Sequence, residues 1–362
     1  MTRFIIHDTI KLLKPLYLST EHPKVRFQQV SEVLFAEDSF VQPLQKARMT
    51  GSGGFGAGAQ QAAGYFTMAQ QGWGLFNPTR RVEASAWVFE RFEELDILAR
   101  IERQLQSLLA AYPATPVPDE LHVTLFPSDP ANAGVMRMEY GFAIFGGTPG
   151  WLVMQMWPDA GNLARLDAML AYGYAWQMRQ HALAGKALYT LADHLVMEGL
   201  AAAFIADCVT DLHVPAWAVT VAPPDHWDAT LDQVAAMYGL KGYDDMIVNV
   251  YGHMIPVGPE RPPVPEPLDA EELAYAAAIM REALAETNPV RIAAYLYGDE
   301  IIAAKGHAAA GLSPFSGFYV GAQLINAYRE VAGDDLMLAF ITPTSDILKT
   351  SGVFELLCNP AS

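Results

Sequence analysis

Glu198 lies in Leu191–Phe204, a run so apolar that its carboxyl must find a partner or keep its proton. A carboxyl held neutral at ordinary pH serves as a general acid or base. His194 stands four residues earlier, on the same face of a helix. The pair is either an ordinary hydrogen-bonded helix pair or part of a metal site. Upstream, Tyr172 and Trp176 have the same spacing in another apolar segment, while Tyr174 points away and suits packing. Two aromatics on one face either fill a cavity or line a pocket for a flat or apolar ligand, with Glu198 as a buried carboxylate. Arg179 suits a helix end or a carboxylate, including one on a ligand. Tyr319 suits core packing or donation to a developing oxyanion. His122, in Leu-His-Val-Thr-Leu, is a satisfied strand histidine or a residue facing the cleft.

These residues need rigid elements to hold them. Apolar periodicity predicts a helix from Val88 to Tyr112, ended by Pro113, Pro116 and Pro118. Strand-like pieces follow at Leu121–Phe126, Arg137–Phe145 and Trp151–Met156. Helices are predicted at Asn162–Arg179, Ala187–Val209, Thr230–Tyr238, Ala270–Glu286, Asn288–Tyr297 and Phe318–Ala332. Residues 3–48 suggest a strand or two and a helix. The six glycines of residues 50–64 lack a P-loop's Gly-Lys-Ser/Thr and suit a mobile loop or a lid. Six prolines in residues 256–267 mark a surface connection. These breaks divide the chain into 1–120, an α/β segment; 121–255, the core carrying the helix pair; and 256–362, a helical subdomain.

The helix pair Met169–Arg179 and Leu191–Phe204 resembles that of a family of zinc-dependent proteases long filed as a domain of unknown function. There the first helix runs Ala-His-Glu-x-x-His-x-x-Arg and the second ends in Glu-Gly-Leu-Ala. This chain keeps Ala171, Arg179 and Glu198-Gly199-Leu200-Ala201, but Tyr172-Gly173-Tyr174-Ala175-Trp176 replaces the zinc-binding pentad. Leu296-Tyr297-Gly298-Asp299, the Pro314–Gly321 segment, Ser345-Asp346-Ile347-Leu348 and Ser351-Gly352 extend the resemblance over roughly residues 120–355. It implies an α+β, zincin-like fold, with a mostly antiparallel sheet packed on helices and a helical C-terminal half. It places Glu198 as the third ligand of a lost zinc site and Tyr172 and Trp176 where two histidines would point. Tryptophan has no lone pair for zinc, and an unperturbed tyrosine titrates near pH ~10, so no metal and no cofactor is expected. The aromatics fill the old site, line a new one, or record a deliberate removal of ligands.

The chain has 362 residues, 52% hydrophobic and 17% charged, enough for a large core. A net charge of −17 argues against nucleic acid and anionic membranes as partners. Two cysteines make no disulfide framework. The N-terminus lacks a signal-peptide pattern, and no apolar run reaches the roughly 18 residues of a membrane span, so a cytoplasmic protein is expected. Three functions fit. One is a metal-independent protein that binds, and transforms by carboxylate acid/base chemistry, a small molecule or peptide in an aromatic-walled cleft. In it Glu198 and Tyr319 are catalytic, and Tyr172, Trp176, Arg179, His194 and His122 bind the ligand. The others are a non-catalytic pseudo-peptidase scaffold and a zinc hydrolase with displaced ligands such as His194 and Glu198.

Overall fold

The protein is seen in a computed structural model that describes residues 2–35, 74–183, 190–246 and 263–358. The Gly-rich stretch 50–64 and most of the Pro-rich connection lie outside the described residues. The chain opens with strand β1 (Arg3–Ile6) and helices α1 (Thr9–Tyr17) and α2 (Pro23–Phe35). Two helices then precede the sheet, α3 (Val82–Glu94) and α4 (Ile97–Ala111). Sequence periodicity predicts one helix here, but Asp96 turns left-handed at φ 45°. Aspartate tolerates that conformation better than most residues, so the apolar stripe continues while the axis breaks.

Strands β2 (Glu120–Pro127), β3 (Phe142–Thr148) and β4 (Trp151–Met156) complete a four-stranded sheet of order β1-β2-β4-β3. The fold is α+β, yet the expected mostly antiparallel sheet is corrected to a mixed one. Only β3 and β4 run antiparallel, whereas β1–β2 and β2–β4 are parallel. A short turn through Gly150 makes the antiparallel pair local, while the parallel neighbours meet across long connections that alternation along one strand does not reveal. All six residues of β4 are buried, as in a strand covered on both faces. The expected strand Arg137–Phe145 begins only at Phe142. Before it lie a π-helical turn, Gly134–Met138, and two left-handed residues, Tyr140 and Gly141, which interrupt extended backbone.

Below the sheet run α5 (Ala160–Ala164), α6 (Leu166–Ala182) and α7 (Leu191–Cys208), followed by α8 (Trp227–Met237). The remainder is helical: α9 (Ala270–Glu282), α10 (Pro289–Tyr297), α11 (Asp299–Ala304), α12 (Ser316–Ala332), α13 (Leu336–Ile341), α14 (Thr344–Ser351) and α15 (Val353–Cys358). A single buried apolar cluster runs from Phe4 to Phe354 and joins both halves. Because β1 pairs with β2, residues before 120 share the sheet of the segment that follows. No helix among the described residues is long and apolar enough to cross a membrane.

Candidate functional site

Two devices hold α6 against the sheet. Gln177 reaches the carbonyls of Gly146, Thr148 and Trp151 at 2.5, 2.9 and 2.8 Å, and its own carbonyl accepts from Gly150 N at 2.8 Å. Gly173 supplies the second: a side chain there would meet Leu152 at 2.5 Å and Ile144 at 2.7 Å. Helix α6 therefore lies close under β3, with Trp176 beside Gly146 and Gly147. Helix α7 starts at a capping box between Thr190 and Asp193. It then crosses α12 where Gly199 and Gly321 bring the two backbones together. Larger residues at that crossing would push the Glu198 turn away from α12.

Held in this way, the two helices bring Tyr172, Trp176, His194 and Glu198 together. The Tyr172 hydroxyl donates to both carboxylate oxygens of Glu198, at 3.0 and 3.2 Å. Glu198 is 7% exposed, and burial pushes its carboxyl up to about 8 although the Tyr172 hydrogen bond pulls the other way. Burial also raises the Tyr172 phenol well above its ordinary value, and the charges of Glu198 and Tyr297 add to that. The Trp176 ring stands 6.4 Å from Tyr172 and 6.2 Å from His194. Its indole nitrogen is buried with no full hydrogen bond, close enough to the Tyr172 hydroxyl to favour the phenolate slightly. Burial lowers the His194 imidazole, with Asp193 opposing. Tyr172, Trp176 and His194 all remain half-buried, so each keeps part of its surface exposed.

Three other expected residues have different surroundings. Arg179 is fully buried, and its guanidinium donates to the carbonyls of Ala339, Phe340 and Thr342 and to the Thr344 hydroxyl. It closes the end of α13. His122 turns to the other face of the sheet. Its neighbour Val123 pairs with Leu152, which packs on α6, so alternation sends His122 and Trp151 to the opposite side. There the His122 ring stacks on Trp151 at 4.6 Å, and its Nδ1 lies 3.0 Å from His7 Nε2. Tyr319 packs edge-on against Trp217 at 5.4 Å.

Sequence reasoning assigned no role to two groups near the cleft. Tyr297, at the end of α10, is raised by burial and by the charges of Glu139 and Glu198. Glu139 follows the π-helical turn, with its backbone carbonyl held by Arg165 at 2.7 Å. Its side chain is exposed, and the surrounding protein raises its carboxyl against the pull of Lys305 and Arg165. The Leu296-Tyr297-Gly298 motif pointed to the first. Nothing in the local sequence pointed to the second, because the strained turn that carries it is itself illegible.

These donors do not make the family's zinc site. Tryptophan offers zinc no lone pair, the Tyr172 proton is committed to Glu198, and no group of three His, Cys, Asp or Glu among the described residues could hold a metal. Even so, the region that holds both helices is similar to a family of predicted proteases. Residues 98–254 match the family described as predicted Zn-dependent protease (DUF2268), which bears out the resemblance over that span and leaves residues 255–355 beyond it. The uncharacterized protein YjfC of Bacillus subtilis (strain 168) is 21% identical over 237 residues. The alignment covers 65% of this chain and 62% of that relative, less than two thirds of the latter's length. No solved structure matches.

Proposed function

We propose that this protein, of zinc-peptidase ancestry, binds a peptide or small molecule in the cleft between α6, α7 and β3 and acts on it by proton transfer without a metal. The observation that carries this reading is the Tyr172–Glu198 pair. It is a buried carboxyl with a phenolic partner, beside the half-buried rings of Trp176 and His194. With its carboxyl raised to about 8, Glu198 holds a proton at neutral pH and can give it to a basic atom of a bound ligand. Tyr172 orients the carboxyl and takes part of the charge left behind. Trp176 offers an apolar face to a flat group.

Zinc titration of chelator-treated protein by calorimetry tests the metal-free part of the reading. Binding below about a tenth of an equivalent is expected. Near one equivalent, lost on substituting His194 or Glu198, would transfer the protein to the displaced-ligand hydrolases. A mixture of short synthetic peptides, followed by mass spectrometry, tests the chemistry. Turnover by the metal-free protein that falls about a hundredfold in Glu198→Gln is expected of a general acid. Equal turnover in that variant removes Glu198 from the mechanism, and no turnover or binding in either protein leaves the scaffold reading.

A further inference from the structure

A separate cavity of about 270 Å³ opens where α5 and the start of α6 meet the end of α7 and the chain leading into α8. Ala168, Val219 and Ala222, all buried, make its floor, and Val209, Leu212 and Pro224 make its walls. The polar groups are confined to the rim, where Asp211, His213, Asp225 and His226 are exposed. Neither aspartate forms a hydrogen bond or an ion pair among the described residues. Arg165 also borders the cavity; its Nε and Nη2 are engaged with Asn162 and with the carbonyls of Glu139 and Tyr140, over the Phe142 ring, while its Nη1 is buried without a hydrogen bond. The cavity thus has an apolar interior and two unpaired carboxylates at its mouth, in a chain of net charge −17.

We propose that this cavity is a binding site for an organic cation with an apolar body, an arylalkyl- or alkylammonium group, its hydrocarbon part inside and its ammonium between Asp211 and Asp225. The volume is at the small end of ligand pockets and suits one ring or branched chain. Burying that group against alanine, valine and leucine supplies the affinity, and the paired carboxylates supply the preference for positive charge. A metal ion does not fit, since no group of three ligating side chains is present among the described residues and the interior offers only apolar atoms. Position links the cavity to the cleft: Arg165, Ala168, Tyr172 and Trp176 follow one another at three- and four-residue steps along α6 and its start. The cation site nevertheless stands whether or not Glu198 transfers a proton.

Calorimetry of the full chain with phenethylamine and 3-phenylpropionate, ligands of similar shape and opposite charge, tests it. Phenethylamine is expected to bind at least about tenfold more tightly than the acid. The exposed double variant Asp211→Asn/Asp225→Asn is expected to lose that preference, and Ala222→Leu or Ala168→Leu to lose binding of the amine. Thermal melts confirm that each variant is folded, and the surface double variant decides the matter if a filling variant is not. Glu198→Gln is expected to bind phenethylamine like the wild type, so a failure of the acid/base reading remains separate from a failure here. Equal binding of amine and acid, no amine binding at millimolar concentration, or a preference retained without the two aspartates would each overturn the proposal.

Discussion

At the scale of single residues, the Tyr172–Glu198 hydrogen bond makes a definite statement about pH. The folded state raises the Glu198 carboxyl from 4.5 to about 8, so folding binds that proton more tightly than the unfolded chain does. Its contribution to stability is therefore complete below the ordinary carboxylate range and is lost as pH rises through about 8. A shift of that size corresponds to at most about 5 kcal/mol. We expect the wild-type melting temperature to fall between pH 5 and 9 more steeply than that of Glu198→Gln, whose amide is never charged. At pH 9 the variant should be the more stable, and parallel curves would show that the buried carboxyl does not govern this slope. Tyr172→Phe acts on the same group in the other direction. The phenol lowers the Glu198 pKa, so its removal should move the carboxyl midpoint upward in a carbon-detected NMR titration and cost about 1 kcal/mol. Sequence spacing was informative here because i and i+4 positions fix a helix face, and Tyr172, Trp176, His194 and Glu198 did converge. Spacing does not say what lies opposite a face. That is why Arg179, with the right type and spacing for a ligand, instead closes a helix that follows it by more than 150 residues.

Among the elements, the long helices were legible from their apolar period and the strands β2 and β4 from their short apolar runs. What escaped was how the elements meet. The parallel pairing of β1 with β2, the break at Asp96 and the π-helical turn before β3 each depend on contacts remote in sequence or on one backbone angle. The crossing of α7 and α12 shows how much rests on such contacts. A Cβ on Gly199 would run into the Gly321 carbonyl, and one on Gly321 would sit 2.5 Å from the Leu195 carbonyl. Backbone cannot yield as a side-chain tip can, so Gly199→Ala should destabilise the protein by about 3 kcal/mol, measured by urea unfolding. The variant should also displace the Glu198 turn and reduce its burial, read as a Glu198 titration closer to the ordinary carboxylate value. Arg179→Ala makes a contrasting case at the end of α13. It removes the donor shared by the Ala339, Phe340 and Thr342 carbonyls and should cost about 3 kcal/mol, while Arg179→Lys, a point charge without the fork, recovers only part. At permissive temperature neither change should alter the Glu198 midpoint, because the Arg179 bonds run to α13 and its exit and not to the cleft.

For the molecule as a whole, the question is whether the arrangement of α6 and α7 can hold a metal once suitable ligands are supplied. The sheet, the α6 helix fixed under β3 by Gln177 and the α7 helix fixed by its crossing with α12 are all independent of the residues at 172 and 176. If Glu198 still occupies the third-ligand position, putting back two imidazoles should restore a metal centre without rebuilding the fold. The variant Tyr172→His/Trp176→His removes the phenol that occupies Glu198 and the indole that no metal can use. It leaves two imidazoles one turn apart facing a carboxylate, the donor number a catalytic zinc site uses. We expect it to take up close to one equivalent of zinc, by elemental analysis after gel filtration, and to gain thermal stability when zinc is added, since a metal bound only by the folded state stabilises it. Peptidase activity should not follow, because position 173 still lacks the glutamate that would act on the bound water. Gly173→Glu adds that base only at a cost: its Cβ meets Leu152 and Ile144, so the change needs a smaller residue such as Leu152→Ala beneath it. Zinc uptake in the double variant that disappears on adding Glu198→Gln would show that the ancestral geometry is intact and that only its chemistry was exchanged. A double variant that folds and ignores zinc would mean that α7 has moved away from the position its ancestor needed, and the cleft would then be a new site on an old scaffold.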